Sequence, residues 1–144
     1  MRTIRATTTA GRAGAYYVRI EAMARKHSIP LEVEFDEHDT PETKYVVVVD
    51  GYLPIATCRL YEEAEGVVVI GRVVVLAEYR RRGIGTMVVR EAEEWAREIG
   101  CRRAVVESRD NKTVFYEQMG YRRVEGCQPI EGETFRCYRM EKEL

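Results

Sequence analysis

Apolar and polar positions alternate weakly over Met1 to Ala6, which predicts an edge strand, and Thr7, Thr8 and Thr9 then supply hydroxyls suited to capping a helix. Ala13, Tyr16, Tyr17, Ile20, Met23 and Ala24 recur at three- and four-residue steps. That spacing predicts a helix from Ala10 to about His27, weakened in its first turns by Gly11 and Gly14. From Pro30 to Lys44 the chain is acidic and broken by Pro30 and Pro41, so an extended or looping stretch is expected, with Asp36, Glu37, His38 and Asp39 at its tip. The β-branched run Tyr45 to Val49, the turn signal Asp50-Gly51 and the segment Tyr52 to Leu60 read as a hairpin. Glu62 to Gly66 turn the chain again into an apolar strand, Val67 to Leu76, where Gly71 suggests a bulge or bend.

The period then changes. Ile84, Met87, Val88, Ala92, Trp95, Ala96 and Ile99 trace a helical stripe that ends at Gly100. Ala104 to Val106 reads as a short buried strand, Lys112 to Met119 as a short helix closed by Gly120, and Tyr121 to Glu125 and Thr134 to Lys142 as further strands. With no repeat, low-complexity tract or linker, the expected architecture is α+β: one domain over 1–144 with a central, mostly antiparallel sheet flanked by helices.

Composition narrows this only a little. A chain of 144 residues with 45% hydrophobic and 33% charged residues is ordinary for one folded domain. A formal net charge of −1 gives no global attraction to nucleic acid or an anionic membrane, so neither is an expected partner and any anion site must be local. The N-terminus lacks an apolar run resembling a signal peptide, and no stretch approaches the ~20 apolar residues of a membrane span, so a cytoplasmic location is expected. Cys58, Cys101, Cys127 and Cys137 are widely and irregularly spaced, which suits reduced thiols better than a zinc knuckle. His27 and His38 are too few and too far apart for a metal site, and no metal is expected.

The strongest local signal is the run Val73 to Thr86, in which a strand passes into a glycine-bearing turn and directly into an amphipathic helix. The first N–H groups of a helix have no internal partner and carry the positive end of its dipole, so a pyrophosphate placed there is hydrogen-bonded and charge-matched. Gly83 and Gly85 allow close backbone approach, and Arg80, Arg81 and Arg82 add positive charge. A plain helix start behind a solvated arginine run explains the same residues. A Rossmann site would need a third glycine and a P-loop would need Gly-Lys-Ser/Thr, and neither is present.

Arg80-x-x-Gly83-x-Gly85, following a strand and opening a helix, resembles the Gln/Arg-x-x-Gly-x-Gly/Ala motif of the GCN5-related N-acetyltransferase (GNAT) superfamily. Phe115-Tyr116-Glu117-Gln118-Met119-Gly120-Tyr121 is similar to that superfamily's second signature. Four further runs, Pro30 to Asp39, Ala56 to Leu60, Ile70 to Val73 and Tyr138 to Lys142, resemble its YjcF/ElaA-like branch. The resemblance implies acetyl-CoA as acyl donor, lying in a V-shaped split between the strand ending near Leu76 and the strand starting near Arg103. Main-chain groups of Val73 and Val75 would meet the pantetheine, and amides from Arg81, Arg82, Gly83, Ile84, Gly85 and Thr86 would hold the pyrophosphate. Tyr116 matches the tyrosine that hydrogen-bonds the CoA sulfur and protonates the leaving thiolate, an uphill transfer of only roughly 2 kcal/mol for an ordinary phenol. Phe115 and Tyr116 also suit a purely structural reading as core aromatics.

Where the superfamily often places an asparagine seven residues before this tyrosine, the chain has Arg109, with Asn111 five before. Glu34, Asp36, Glu37, His38 and Asp39 are candidates by position for a proton acceptor, although such a cluster is more often a solvated loop. Arg59 and Arg72 suit a substrate-carboxylate clamp or pairing with neighbouring acids. The function expected is acetyl transfer to a primary amine of a small molecule or peptide, by direct attack in a ternary complex. An acyl-CoA-binding sensor without transferase activity is the alternative, acyl-homoserine-lactone synthesis has no sequence support of its own, and a homodimer stays open.

Overall fold

The computed structural model describes residues 1–126, 130–131 and 136–144, Glu131 in its backbone only; Cys127 and Thr134, named above, lie outside the described residues. β1 (Arg2–Arg5) lies at one edge of the sheet, as its weak alternation predicts. Thr8 caps α1 (Thr9–Arg19), its hydroxyl accepting the Gly11 N–H at 3.1 Å. The single α-helix expected over 10–27 is corrected beyond Arg19. Ile20–Arg25 winds as a π-helix, along a stretch that buries Ala22, Met23 and Ala24 in succession. The predicted loop after it is also partly helical, because the Pro30 carbonyl accepts the N–H groups of both Val33 and Glu34 and starts α2 (Leu31–Glu34).

β2 (Lys44–Asp50), β3 (Leu53–Ala64) and β4 (Val67–Val75) form an antiparallel meander whose turns use the left-handed Gly51 and Gly66. α3 (Ile84–Glu98) crosses over to β5 (Arg103–Arg109), which lies parallel to β4. After α4 (Thr113–Gln118) come β6 (Arg122–Arg123), β7 (Ile130–Glu131) and β8 (Arg136–Glu143), and β8 pairs antiparallel with β5, β6 and β7. The order β1-β2-β3-β4-β5-β8-β6 makes a mixed, mostly antiparallel sheet, as predicted. β5 is longer than its predicted core and β6 shorter; β7 was not foreseen, since two residues carry no periodicity.

Alternation in β2 divides the core. Val46 and Val48 join the main cluster under α3, with Ile84, Val88, Val89, Ala92 and Trp95, while Tyr45, Val47 and Val49 pack with Ala6 and Ala15 on the opposite face. Each fully buried aliphatic side chain contributes about 1.5–3 kcal/mol. Met87 and Ile99, counted in the predicted stripe, sit at its exposed margin.

One departure from regularity shapes the site. β4 and β5 pair only from Val67↔Arg103 to Val69↔Val105; beyond that β4 runs on to Val75 and β5 to Arg109 without a shared ladder. Between the Thr57↔Val74 and Arg59↔Gly71 pairs, two residues of β4, Arg72 and Val73, oppose the single Cys58 of β3. Such a bulge bends its strand, and this one lies just past the point where β4 leaves β5. The bend suggested by Gly71 thus falls one residue later, on Arg72, whose φ is +50°. No helix among the described residues is long and apolar enough to cross a membrane.

Candidate active site

The split opens toward the start of α3. β4 ends at Val75, Leu76 leads into a 3-10 turn over Ala77–Tyr79, and the chain enters α3 through Arg81 at φ +65° and Gly83 at φ +76°. No side chain caps this helix, and the first bond of its ladder runs from the Met87 N–H to the Gly83 carbonyl. The N–H groups of Ile84, Gly85 and Thr86 therefore precede that ladder and point out of the helix start, where anions are favoured. A β-carbon at Gly83 would meet nothing within 4 Å, so the space above the turn is open. Gly85 is closed on its side: a β-carbon there would sit 3.5 Å from Phe115 Cζ and 4.0 Å from Val75 Cγ2. Ile84 is buried and fixes the helix start in the core.

The arginines of the turn are exposed. Arg80 Nε donates to the Val75 carbonyl at 3.2 Å, and the Arg82 guanidinium lies 5.2 Å from the centre of the Tyr79 ring. Tyr79 is tied to Asp50 by a 2.9 Å hydrogen bond. Val73 and Val75 are half-buried on the stretch of β4 that has left the β5 ladder, so the structure brings both to the split that leads to Gly83.

Tyr116, on α4 and part of the main core cluster, is held edge-on between Phe115 and Tyr121 at centroid distances of 4.9 and 5.7 Å. Its side chain is buried. Burial, and then the Cys58 thiol, push its hydroxyl well above the usual phenol range, with Arg109 pulling the other way. The cheap proton transfer expected for an ordinary phenol is therefore corrected: Tyr116 stays neutral across the working pH range and is suited to donating a hydrogen bond. Arg109 ends β5 beside it, half-buried, with a guanidinium nitrogen 3.3 Å from Met23 Sδ, whereas Asn111 is exposed in the Asp110–Lys112 turn.

The acidic segment is not a solvated loop. Arg19, fully buried, donates to Glu34 Oε2 at 2.9 Å, to the Glu34 carbonyl at 2.7 Å and to both oxygens of Asp39 at 2.6 and 3.1 Å. Arg59 reaches Asp36 Oδ1 at 2.8 Å and Asp39 Oδ2 at 3.0 Å, and the Tyr45 hydroxyl adds a 2.7 Å bond to Asp39. Arg72 closes the set on the Glu34 carbonyl and Asp36. Burial alone would raise the carboxyls of Asp36 and Asp39, but their hydrogen bonds and guanidinium neighbours hold both below the ordinary range. Such carboxylates are poor proton acceptors. His38 stacks on Tyr61 at 4.2 Å, and Arg59 and Arg72 pair with acids. The three described cysteines are free, and burial raises each thiol, Cys58 most strongly. No group of three or more metal-ligating side chains occurs among the described residues.

Sequence reasoning offered acid pairing for Arg72, which the structure shows, but missed Arg19 and the left-handed conformation of Arg72. Arg19 had a usable signal, since it stands three residues after Tyr16 and four before Met23 and so shares their apolar face. Arg72 had only the neighbouring Gly71.

Sequence comparison identifies the family. The profile of the family described as "Acetyltransferase (GNAT) family" matches residues 13–121. The chain belongs to the GNAT acetyltransferase family. It is an acyltransferase. The uncharacterized N-acetyltransferase YjcF of Bacillus subtilis (strain 168) is 30% identical over 108 residues, 75% of this chain and 76% of that protein. The crystal structure of a protein from Lactobacillus plantarum described as a candidate N-acetyltransferase superposes with a TM-score of 0.91 at 33% identity, covering 99% of this chain and 97% of that one. An aminoglycoside 6′-N-acetyltransferase complexed with coenzyme A shares the fold, with a TM-score of 0.77 at 16% identity over 99% of this GNAT chain and 97% of its own.

Proposed function

We propose that residues 1–144 form one acetyl-CoA-dependent N-acetyltransferase domain, which transfers the acetyl group to a primary amine of a small molecule or peptide by direct attack in a ternary complex. The observation that carries this reading is the uncapped start of α3, with its left-handed Gly83, at the mouth of a sheet split walled by Val73 and Val75. Amides of Arg81 to Thr86 bind the diphosphate, with Arg80, Arg81 and Arg82 supplying charge, and main-chain groups of Val73 and Val75 pair with the pantetheine. One of those groups, the Val75 carbonyl, is occupied by Arg80, which must turn outward as the donor enters.

In the transfer the amine nitrogen forms a bond to the thioester carbon, the C–S bond breaks, and its electron pair leaves on sulfur. The Tyr116 hydroxyl donates a hydrogen bond to that sulfur. The surplus proton of the amine passes to solvent, and the thiolate takes a proton from solvent, giving an amide and CoA. Direct attack is favoured because the described thiols are raised in pKa and poor nucleophiles. The complexed coenzyme A of the aminoglycoside acetyltransferase supports the donor class. A cytoplasmic location suits a chain with free thiols and this donor.

Calorimetry with CoA, followed by thiol release from acetyl-CoA across a panel of primary amines, tests the reading. Saturable CoA binding with amine-dependent release supports it. Binding without release for any amine would leave only a sensor, and no binding removes the reading altogether.

A further inference from the structure

The residue that forms the β4 bulge is an arginine in a conformation that glycine adopts freely, and a glycine stands immediately before it. Gly71 takes no positive φ and a β-carbon there would meet nothing within 4 Å, whereas Arg72 carries φ +50°. A bulge needed only for shape would place the glycine at the strained position. The Arg72 side chain accounts for the arrangement. Its Nε and a terminal nitrogen donate to the Glu34 carbonyl at 3.2 and 3.1 Å, and the same terminal nitrogen reaches Asp36 Oδ2 at 3.1 Å. Those acceptors are themselves fixed, the Glu34 carbonyl by the buried Arg19 at 2.7 Å and Asp36 by the buried Arg59 at 2.8 Å. A continuous frame thus runs from α1 through the α2 loop to the one strand residue that re-aims the backbone of β4. That residue lies within electrostatic reach of Arg109 on β5 and Cys137 on β8.

We infer that Arg72 is a positioning residue: clamped by Glu34 and Asp36, it holds the bulged main chain of Arg72 and Val73 at the angle that aims a backbone N–H at the acetyl carbonyl. This rests on the proposed acetyl-CoA reading. The frame sets that donor in advance, and a donor fixed before charge develops on the carbonyl oxygen stabilises it without reorganisation. Arg72 itself touches neither donor nor acceptor.

Isotope-edited infrared spectroscopy with acetyl-CoA labelled at the carbonyl carbon reads the polarisation directly and needs no acceptor. The wild-type complex should show the thioester carbonyl band at lower wavenumber than free acetyl-CoA. Arg72→Gly, which keeps the backbone conformation accessible but loses the clamp, should return the band most of the way to its free position while calorimetric CoA affinity changes by less than about threefold. Asp36→Asn, which keeps the Glu34 half of the clamp, should give a smaller return of the same sign and carries the test if Arg72→Gly fails to fold by near-ultraviolet circular dichroism. A band that is unshifted in the wild type, or equally shifted in every folded variant, overturns the role of Arg72 while leaving the CoA reading intact. Loss of CoA affinity in a folded Arg72→Gly also overturns it, since the residue would then serve binding. A wild type that binds no CoA removes the proposed function first.

Discussion

Two charged regions of this molecule are built in opposite ways. In the network of Arg19, Arg59, Arg72, Glu34, Asp36 and Asp39 each side chain has a partner of opposite charge, and Arg19, Arg59 and Glu34 are buried. At the turn of Arg80 to Thr86 the arginines are exposed, and the first amides of α3 have no partner in the helix or its cap. A largely buried network of paired charges can hold a shape, with Arg59 Nε its one buried nitrogen lacking a hydrogen bond among the described residues, while an exposed turn with unpaired main-chain donors can receive an anion. The richest cluster of ionisable groups is therefore frame, and the plainer turn is the proposed binding site.

The largest expected effect would break the frame. Arg19→Met leaves Glu34 and Asp39 without their buried cation and should lower unfolding stability by about 3–5 kcal/mol in urea titration. Stability equal to wild type would mean the network contributes no order. Next, Gly83→Val forces a β-branched residue to φ +76° and projects it over the open turn. It should weaken CoA binding by roughly a hundredfold in calorimetry, at a cost to folding of about 1–3 kcal/mol. Retained affinity would erase the distinction between the two regions.

Tyr116→Phe should lower turnover by about ten- to a hundredfold, with CoA affinity and melting temperature nearly unchanged, because it removes one hydrogen bond to the leaving sulfur from a ring otherwise held by Phe115 and Tyr121. Unaltered turnover would return Tyr116 to a core role. The smallest effect is a pH dependence. Asp39 is held below its unfolded pKa of roughly 3.9, so its contribution to stability is full above that value and is lost as pH falls toward the folded pKa. The stability gap between wild type and Asp39→Asn should be widest near neutral pH and narrow in acid; a gap that widens on acidification would reverse the assignment.

Much of this was legible in the chain. Period-two runs predicted the meander, the stripe from Ile84 to Trp95 predicted α3, and the glycine-bearing turn before it marked where that helix starts, because these depend on local spacing. What was not legible depends on distant partners. The spacing puts Arg19 on an apolar face but cannot name Glu34 and Asp39 as its partners, and the acidic segment reads as solvated until three arginines converge on it. The left-handed Arg72 opposed the local rule that would have placed the bend on Gly71, and the π-winding after Arg19 left the helical pattern unchanged.

A crystal structure of the CoA complex tests the central claim most directly. The account predicts diphosphate oxygens within about 2.7–3.2 Å of main-chain N–H groups between Arg81 and Thr86, with the pantetheine lying along β4 where it has parted from β5. A diphosphate bound elsewhere, with that helix start facing solvent, would contradict it.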